Sequence, residues 1–226
     1  MSSVASAEYY RRINEGVNAH VGGHAAADLV LYSVDFGLIE AFIRDEKWDE
    51  AAEYLTERAR RLERAGAEFL ILATNTMHRV ALELQDAIGI PLIHIVDVTA
   101  DAATADGAKT LGLLGTRAVM EADFYRARFA DHGFEILVPA KQDRDTVHRV
   151  IFEELTRGII DDHSRQDYLR IMRDLVAQGA QGIVLGCTEI GLLVSAQHMP
   201  STVLYDTTAL HVDRAVRTSL GLHPLE

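Results

Sequence analysis

The chain has 226 residues, of which 48% are hydrophobic, and this length can bury a substantial core in one large domain or two small ones. Its formal net charge of −12 argues against general nucleic-acid binding, which needs a basic surface, and no apolar run reaches the roughly 18–20 residues of a membrane span. The start lacks a secretory signal pattern and a single cysteine excludes an intramolecular disulfide, so we expect a cytoplasmic protein with no membrane partner.

Short apolar runs alternate along the chain with amphipathic stretches. Such runs suit strands that are buried on both faces of a parallel sheet, and the stretches between them suit helices. The alternation predicts an α/β fold with parallel sheets. The predicted strands are Asp28–Val34, Glu68–Thr74, Pro91–Val96, Thr110–Gly115, Phe134–Val138, Gly182–Cys187 and Thr202–Asp206, and predicted helices include Trp48–Arg64, Val119–His132 and Gln166–Gln178.

The sequence repeats itself weakly. Gly66–Thr74 (GAEFLILAT) aligns with Gly179–Cys187 (GAQGIVLGC) at an offset of 187 − 74 = 113 residues. Ala7–Arg11 (AEYYR) aligns with Ala122–Arg126 (ADFYR) at an offset of 122 − 7 = 115 residues. Two matches at nearly one offset favour an internal duplication, although either match alone is compatible with chance.

The duplication predicts two pseudo-symmetric parallel-sheet α/β domains with the active site in the cleft between them. We assign residues 1–98 and 206–226 to the first half and residues 99–205 to the second. The copies differ at one point: a strand and turn, Lys109–Thr116, precede the second ADFYR helix, whereas only Met1–Ser6 precede the first. We expect that an initial strand is missing from this sequence; the alternative is a genuine loss that leaves a sheet edge exposed.

Polar triplets follow the two aligned strands: Thr74–Thr76 in the first copy and Cys187–Glu189 in the second. Ligands of α/β sheets gather beyond the carboxyl ends of the strands. Facing triplets suit racemisation, in which one group removes the α-proton and another returns a proton from the opposite face. Cysteine fits because its pKa of about 8.5 can be lowered at a helix N-terminus. The alternative for Cys187 is a buried structural thiol.

Other parts of the two triplets suit substrate binding. Backbone N–H groups and the hydroxyls of Thr76 and Thr188 can bind a substrate carboxylate and stabilise its enediolate form. The sequence has no pyridoxal-lysine pattern, and no pair among its scattered histidines has a convincing zinc spacing. We therefore predict no cofactor and no metal.

Two segments carry a family resemblance. Ile71–His78 (ILATNTMH) and Val184–Leu193 (VLGCTEIGLL) resemble the two signature segments of the aspartate/glutamate racemase family. Its superfamily also contains hydantoin racemases, maleate isomerases and arylmalonate decarboxylases. The likeness extends over most of the chain, including Ser33–Phe36 and Ile151–Leu155. It implies pyridoxal-independent racemisation of an amino acid with Thr74 and Cys187 as the catalytic pair, and commonly a homodimer.

The sequence departs from the family pattern at three places. Most members have cysteine where this chain has Thr74, and a hydroxyl is a much weaker acid than a thiol. Cys187 should therefore abstract a proton easily while Thr74 mainly donates or relays one, so we expect the two enantiomers to be treated unequally. The family usually opens with a strand ending in Gly-Gly-Met-Ser, of which Met1 and Ser2 remain here. Members that act on aspartate often have a basic side chain near Ile43, and its absence weakens the case for aspartate.

Four further residues are candidates for substrate binding. Met1, Ser2 and Asn75 are predicted to bind substrate. Glu154 would meet the substrate ammonium, or is a solvated helix carboxylate.

Two further residues are predicted to support catalysis. His78 shares a helix face with Thr74 and would tune it, or is a packed histidine. Glu189 would position Cys187 or favour its helix N-terminus. We interpret His20, His24, His94 and His163 as structural.

Three rival functions stay open. The nearest is a decarboxylase or cis–trans isomerase of the same superfamily that uses Cys187 alone. Another is a non-catalytic relative that binds an amino acid. A Rossmann-type dehydrogenase is weaker, because no GxGxxG follows a strand.

Overall fold

The computed structural model of the protein describes residues 1–225, which form two compact units. The first unit comprises Met1–His94 and the segment from His211 onward, and the second comprises Ile95–Leu210. Each unit has a parallel sheet with helices packed against it, so the predicted α/β fold class is confirmed. Within residues 1–225, no helix is both long and apolar enough to span a bilayer.

The second unit contains a four-stranded parallel sheet. Its strands are β3 (Thr110–Gly115), β4 (Glu135–Leu137), β5 (Gly182–Gly186) and β6 (Val203–Asp206), and they lie in the order β4-β3-β5-β6. Glycine-punctuated apolar runs form the two central strands, β3 and β5, which are buried throughout apart from Thr110.

Alternate residues of this sheet face two different cores. Leu111 and Leu113 pack with Val184 in one core, whereas Leu114 packs with Ile183 in the other. Helices cover both faces, as the period-two burial of parallel strands requires. The first core includes residues of α5 (Ile95–Ala105) and α7 (Asp123–Asp131), and the second includes residues of α8 (Lys141–Glu153) and α9 (Asp162–Ala177).

The predicted helix over Val119–His132 is interrupted in the structure. α6 (Arg117–Glu121) ends at Ala122, whose backbone is extended at φ −79° and ψ 149°, and α7 begins at Asp123. Asp123 in the first turn favours a new helix start, because a carboxylate is stabilised by the N-terminal end of the helix dipole. The remaining helices of the second unit are α10 (Ile190–Leu193) and the first residues of α11 (Thr207–Ser219).

The first unit has a smaller sheet of two short parallel strands, β1 (Leu70–Ile71) and β2 (Leu92–Ile93). Leu72, just after β1, packs into a core with α2 and α3, whereas Ile71 and Ala73 pack towards α1 and α11. The same alternation therefore positions β1 between two layers of helices. The helices of this unit are α1 (Ser3–Val21), α2 (Phe36–Arg44), α3 (Trp48–Arg64) and α4 (Ala81–Asp86), with the end of α11.

The predicted strand at Asp28–Val34 is wrong. This segment alternates between exposed and half-buried residues as a strand does, but its backbone pairs with no strand in the described residues. In the second unit β3 occupies the position next to β5, whereas β1 has a neighbouring strand on one edge only. A strand is stabilised by backbone hydrogen bonds to a neighbouring strand. A segment that has no such neighbour therefore does not form a regular strand, even when its side chains suit one.

Candidate active site

Thr74 lies just beyond β1 and is buried together with Asn75, Thr76 and His78. The backbone N–H of Thr74 donates to the Leu72 carbonyl over 2.7 Å, which turns the chain out of the strand direction. A 3-10 helix, Thr76–Val80, follows at once. The structure thus brings four of the sequence-predicted site residues together at the carboxyl end of β1.

Met1 and Ser2 lie beside this group. The terminal ammonium of Met1 donates to the carbonyl of Ala73, one residue before Thr74. Ser2 is buried, and its hydroxyl accepts a hydrogen bond of 3.0 Å from the N–H of Ala5, so it caps α1. A side-chain oxygen at this position satisfies one of the donors that a helix start leaves unpaired.

Sequence reasoning missed a cluster of rings around His78. The ring centroid of His78 lies 4.5 Å from that of His94 and 5.9 Å from that of His211. Tyr9 in turn donates to His211, with 2.9 Å between the hydroxyl and Nδ1. We interpreted His94 as structural and did not single out His211, because neither has a recognisable spacing from Thr74 along the chain.

Cys187 and Glu189 form the centre of the site in the second unit. Cys187 follows β5 directly, and its thiol donates to Oε2 of Glu189 over 3.2 Å. The hydroxyl of Thr188 donates to the same oxygen. Both Cys187 and Glu189 are buried, so the thiol and the carboxylate meet away from solvent.

This burial overturns the expected effect on the thiol. Burial raises the pKa of Cys187 well above its usual value, the charge of Glu189 raises it further, and the Glu189 backbone N–H opposes the rise only in part. The predicted lowering at a helix N-terminus was wrong because α10 has four residues and starts three residues later. Cys187 is therefore a neutral thiol at neutral pH.

Glu154 lies in the same neighbourhood. Its Oε1 accepts from Arg149 over 2.9 Å, while Oε2 is buried and has no hydrogen-bond partner. Burial raises the pKa of Tyr168, and electrostatic interactions with Cys187 and Glu154 raise it further, so both residues lie near Tyr168. The side chain of Glu154 is 16% exposed, so most of it is removed from solvent.

Two threonines at the same edge of the sheet were missed. Thr116 follows β3 and caps α6, and Thr208 follows β6 with a buried hydroxyl that has no hydrogen-bond partner. Their position after a strand was the available signal.

Only glycine fits where β3 and β5 end, since a Cβ on Gly115 would lie 2.9 Å from the Gly186 carbonyl oxygen. Close approach of these strand ends leaves little side-chain bulk below Cys187.

No group of three or more histidine, cysteine, aspartate or glutamate side chains in the described residues has an arrangement that could hold a metal ion. The candidate residues of the two units carry hydroxyl, thiol, carboxylate and imidazole groups. These groups are suited to moving protons.

Comparison with known families bears on this chemistry. The sequence profile of the family described as Asp/Glu/Hydantoin racemase matches residues 1–215. The chain belongs to this family. The predicted family resemblance is thereby confirmed, and membership supports an amino-acid racemase activity.

Solved structures of racemase-family proteins share the fold along most of their length. A candidate Asp/Glu racemase from Yersinia pestis is 47% identical with a TM-score of 0.90, and the match covers 97% of this chain and 96% of that one. An aspartate racemase homologue from Pyrococcus horikoshii is 28% identical with a TM-score of 0.82, over the same shares of the two chains.

Curated relatives are more distant. The broad specificity amino-acid racemase RacX of Bacillus subtilis is 23% identical over 181 residues, which are 76% of this chain and 74% of that protein. A glutamate racemase of Koribacter versatilis is 27% identical over 187 residues, which are 78% of this chain and 61% of the relative.

Proposed function

We propose that the protein racemises a small amino acid without a cofactor, by proton transfer at Cα with Cys187 and Thr74 as the two catalytic residues. The observation that carries the proposal is the buried thiol–carboxylate pair of Cys187 and Glu189. A carboxylate is costly to bury, so a thiol with only a packing role gives no reason for one beside it. A thiol that must lose its proton during catalysis does give a reason for a buried carboxylate, because the carboxylate can accept that proton.

The first proton transfers take place around Cys187. Glu189 accepts the thiol proton, and the thiolate then removes the α-proton of the substrate, which regenerates the thiol. The electron pair left on Cα spreads into the substrate carboxylate as an enediolate. Because the resting thiol is neutral, an acceptor within hydrogen-bond distance is required before it can act as a base.

Thr74 acts on the opposite face of the flat carbanion. Its hydroxyl gives a proton to Cα as it takes one from water, so it relays a solvent proton and ends the cycle unchanged. Glu189 returns its proton to solvent, which balances the exchange. The pKa of a threonine hydroxyl is so high that its alkoxide rarely forms, so Thr74 removes a proton less readily than Cys187, and this makes the two faces unequal.

The substrate-binding residues have complementary roles. Asn75, Thr76 and Thr188, with Met1 and Ser2 beside Thr74, supply donors for the substrate carboxylate and its enediolate. The unpartnered Oε2 of Glu154 supplies an acceptor for the substrate ammonium. We assign His78 and Glu189 to supporting roles.

The substrate side chain is the least constrained part of the proposal. Relatives include glutamate racemases and a broad specificity amino-acid racemase. Ile43 packs as an apolar side chain against the core of the first unit, and the adjacent Arg44 pairs with Glu40 and Asp45. Ile43 offers no charge for a second substrate carboxylate, and the exposed Arg44 already pairs with two carboxylates, which favours a side chain less polar than that of aspartate.

The experiment is a screen of both enantiomers of the amino acids in heavy water, followed by NMR of the α-position and chiral chromatography. We expect inversion with deuterium uptake at Cα for at least one amino acid. Loss of carbon dioxide from a malonate in place of exchange would identify a decarboxylase instead. Thermal stabilisation by an amino acid with no exchange would identify a binding protein.

The cytoplasmic location and the homodimer are also proposals. A dimer would elute in size-exclusion chromatography with light scattering at twice the 25.0 kDa of the chain.

A further inference from the structure

His78 makes a specific contact with the backbone of Thr74. The ring atom Nδ1 of His78 lies 2.7 Å from the Thr74 carbonyl oxygen, and both residues are buried. A carbonyl oxygen can only accept, so Nδ1 carries the hydrogen. The bond therefore fixes the side chain of His78 and the peptide plane that follows Thr74.

His211 holds one side of the cluster rigidly. Its Nε2–H donates to the Ile93 carbonyl over 2.9 Å, and its Nδ1 accepts from the Tyr9 hydroxyl over 2.9 Å. Both nitrogens of the neutral ring are thus satisfied. Burial lowers the pKa of His211 to about 4, which keeps the ring neutral over the range in which most enzymes work.

Another neighbour of His78 is His94, whose ring meets it edge to face at 4.5 Å between centroids. With His211 at 5.9 Å, two aromatic edges restrict how the His78 ring can tilt. The contacts form one chain from Tyr9 through His211 and His78 to the Thr74 carbonyl. Each link lies within the first unit.

The contacts that run from Tyr9 through His211 to His78 end on the backbone of Thr74. Threonine is β-branched, so its χ1 angle is restricted and the direction of its hydroxyl follows from the backbone. A proton donor must hold its geometry closely, since a misplacement of about 1 Å can reduce a rate by 100-fold.

We propose that His78 is a positioning residue for the proton-relaying hydroxyl of Thr74, and that His94 and the His211–Tyr9 pair hold its ring in place. The inference rests on the proposed function, because it assigns a partner to one of the two catalytic residues. It predicts that a change at His78 impairs proton transfer on the Thr74 face of the substrate and leaves proton transfer on the Cys187 face unaffected.

That selectivity can be measured. When the thiolate of Cys187 removes the α-proton and the thiol exchanges with heavy water, deuterium returned to the same face labels the substrate without inverting it. Proton delivery by Thr74 gives the inverted product. The ratio of exchange with retention to inversion therefore reports how well Thr74 works relative to Cys187, and general destabilisation of the protein leaves this ratio unchanged.

The test compares His78→Leu, His78→Asn and His78→Gln with the wild type. The amide of asparagine places a donor near the position of Nδ1, whereas that of glutamine reaches the position of Nε2. We expect His78→Leu and His78→Gln to raise the ratio of retention to inversion by about tenfold and His78→Asn to stay near the wild type. If His78→Leu does not fold, the ratios of His78→Asn and His78→Gln are compared with each other, and a higher ratio for the glutamine variant supports the inference.

A matched control is available in α1. His20 makes the same kind of contact, with 2.9 Å between Nδ1 and the carbonyl oxygen of Gly16 four residues earlier, but it is exposed. His20→Leu should leave the ratio unchanged. The inference is overturned if the leucine and glutamine variants lower retention and inversion in equal proportion, or if all three His78 variants keep the wild-type ratio.

Thr74→Ala distinguishes the proposed proton relay by Thr74 from the proposed positioning role of His78. If it leaves the ratio unchanged, the proposed role of Thr74 fails, and the role of His78 fails with it. If Thr74→Ala raises the ratio and His78→Leu and His78→Gln do not, only the positioning role of His78 is lost.

Discussion

The thiol of Cys187 and the carboxylate of Glu189 are hydrogen-bonded over 3.2 Å, and both groups are buried. The raised pKa of Cys187 means that its thiol keeps its proton at rest, within hydrogen-bond distance of a carboxylate oxygen of Glu189. The acceptor of the thiol proton is thus already in place. In this account Glu189, not a helix N-terminus, makes Cys187 a base.

Glu189→Gln removes the proton acceptor and keeps a side chain of similar size. We expect kcat/KM for racemisation to fall by about 100-fold, the lower end of what a general base contributes. Steady-state kinetics by polarimetry measures the loss. Glu153→Gln is the matched control, since Glu153 is an exposed carboxylate at the end of α8 and should tolerate the change. Unchanged activity of Glu189→Gln would remove the carboxylate from the mechanism.

Alkylation of Cys187 should show its raised pKa directly. Only the thiolate reacts with iodoacetamide, so the rate of the native protein should keep rising at pH values above those where a free thiol levels off. Because burial also slows the reagent, the pH dependence and not the absolute rate is the quantity to compare. Mass spectrometry of the native and urea-unfolded chain gives both profiles, and coincident midpoints would contradict the assignment.

Thr74→Cys should make the two faces of the substrate more alike. The two enantiomers have equal free energies, so kcat/KM must be the same in both directions and cannot report the asymmetry. The asymmetry appears instead in exchange with retention, which we expect for one enantiomer of the wild type. In Thr74→Cys both enantiomers should show it to similar extents, measured by NMR in heavy water. Equal exchange of both enantiomers by the wild type would contradict the unequal pair.

Much of the fold could be predicted from apolar runs alone. β3 has the same bounds as the run that predicts it, because a strand buried on both faces must be apolar throughout. The error at Asp28–Val34 has the opposite cause: its residues suit a strand, but pairing depends on a neighbour that local sequence does not contain.

The places of the candidate residues in the fold were predictable from the sequence, and their electrostatics were less so. Residues after an aligned strand, such as Thr74 and Cys187, can be found because strand ends gather at one edge of a sheet. The raised pKa of Cys187 depends on burial by residues distant in sequence, which no motif encodes. His211 was missed for the same reason, since its contact with His78 exists only in the folded chain.

His211 makes the stability of the protein depend on pH. Its pKa is lowered from 6.5 to about 4 by burial, so between these values the unfolded chain binds more protons than the folded one, and stability falls as the pH falls. The full effect is about 3 kcal/mol, reached near pH 4. His211→Gln keeps a donor for Ile93 and an acceptor for Tyr9 but does not titrate.

Urea unfolding at several pH values measures this effect. Between pH 7 and pH 4 the free energy of unfolding of the wild type should fall by more than that of His211→Gln, because only the wild type has the titrating ring. A difference that stays constant with pH would show that His211 titrates alike in both states.

The role of Cys187 is tested most directly by deuterium uptake at Cα of the preferred amino acid, with wild type and Cys187→Ala compared in heavy water. We expect the alanine variant to remain folded by circular dichroism, with the rates of α-proton exchange and of inversion both reduced by about 1,000-fold. A folded Cys187→Ala protein that still exchanges the α-proton at the wild-type rate would contradict it.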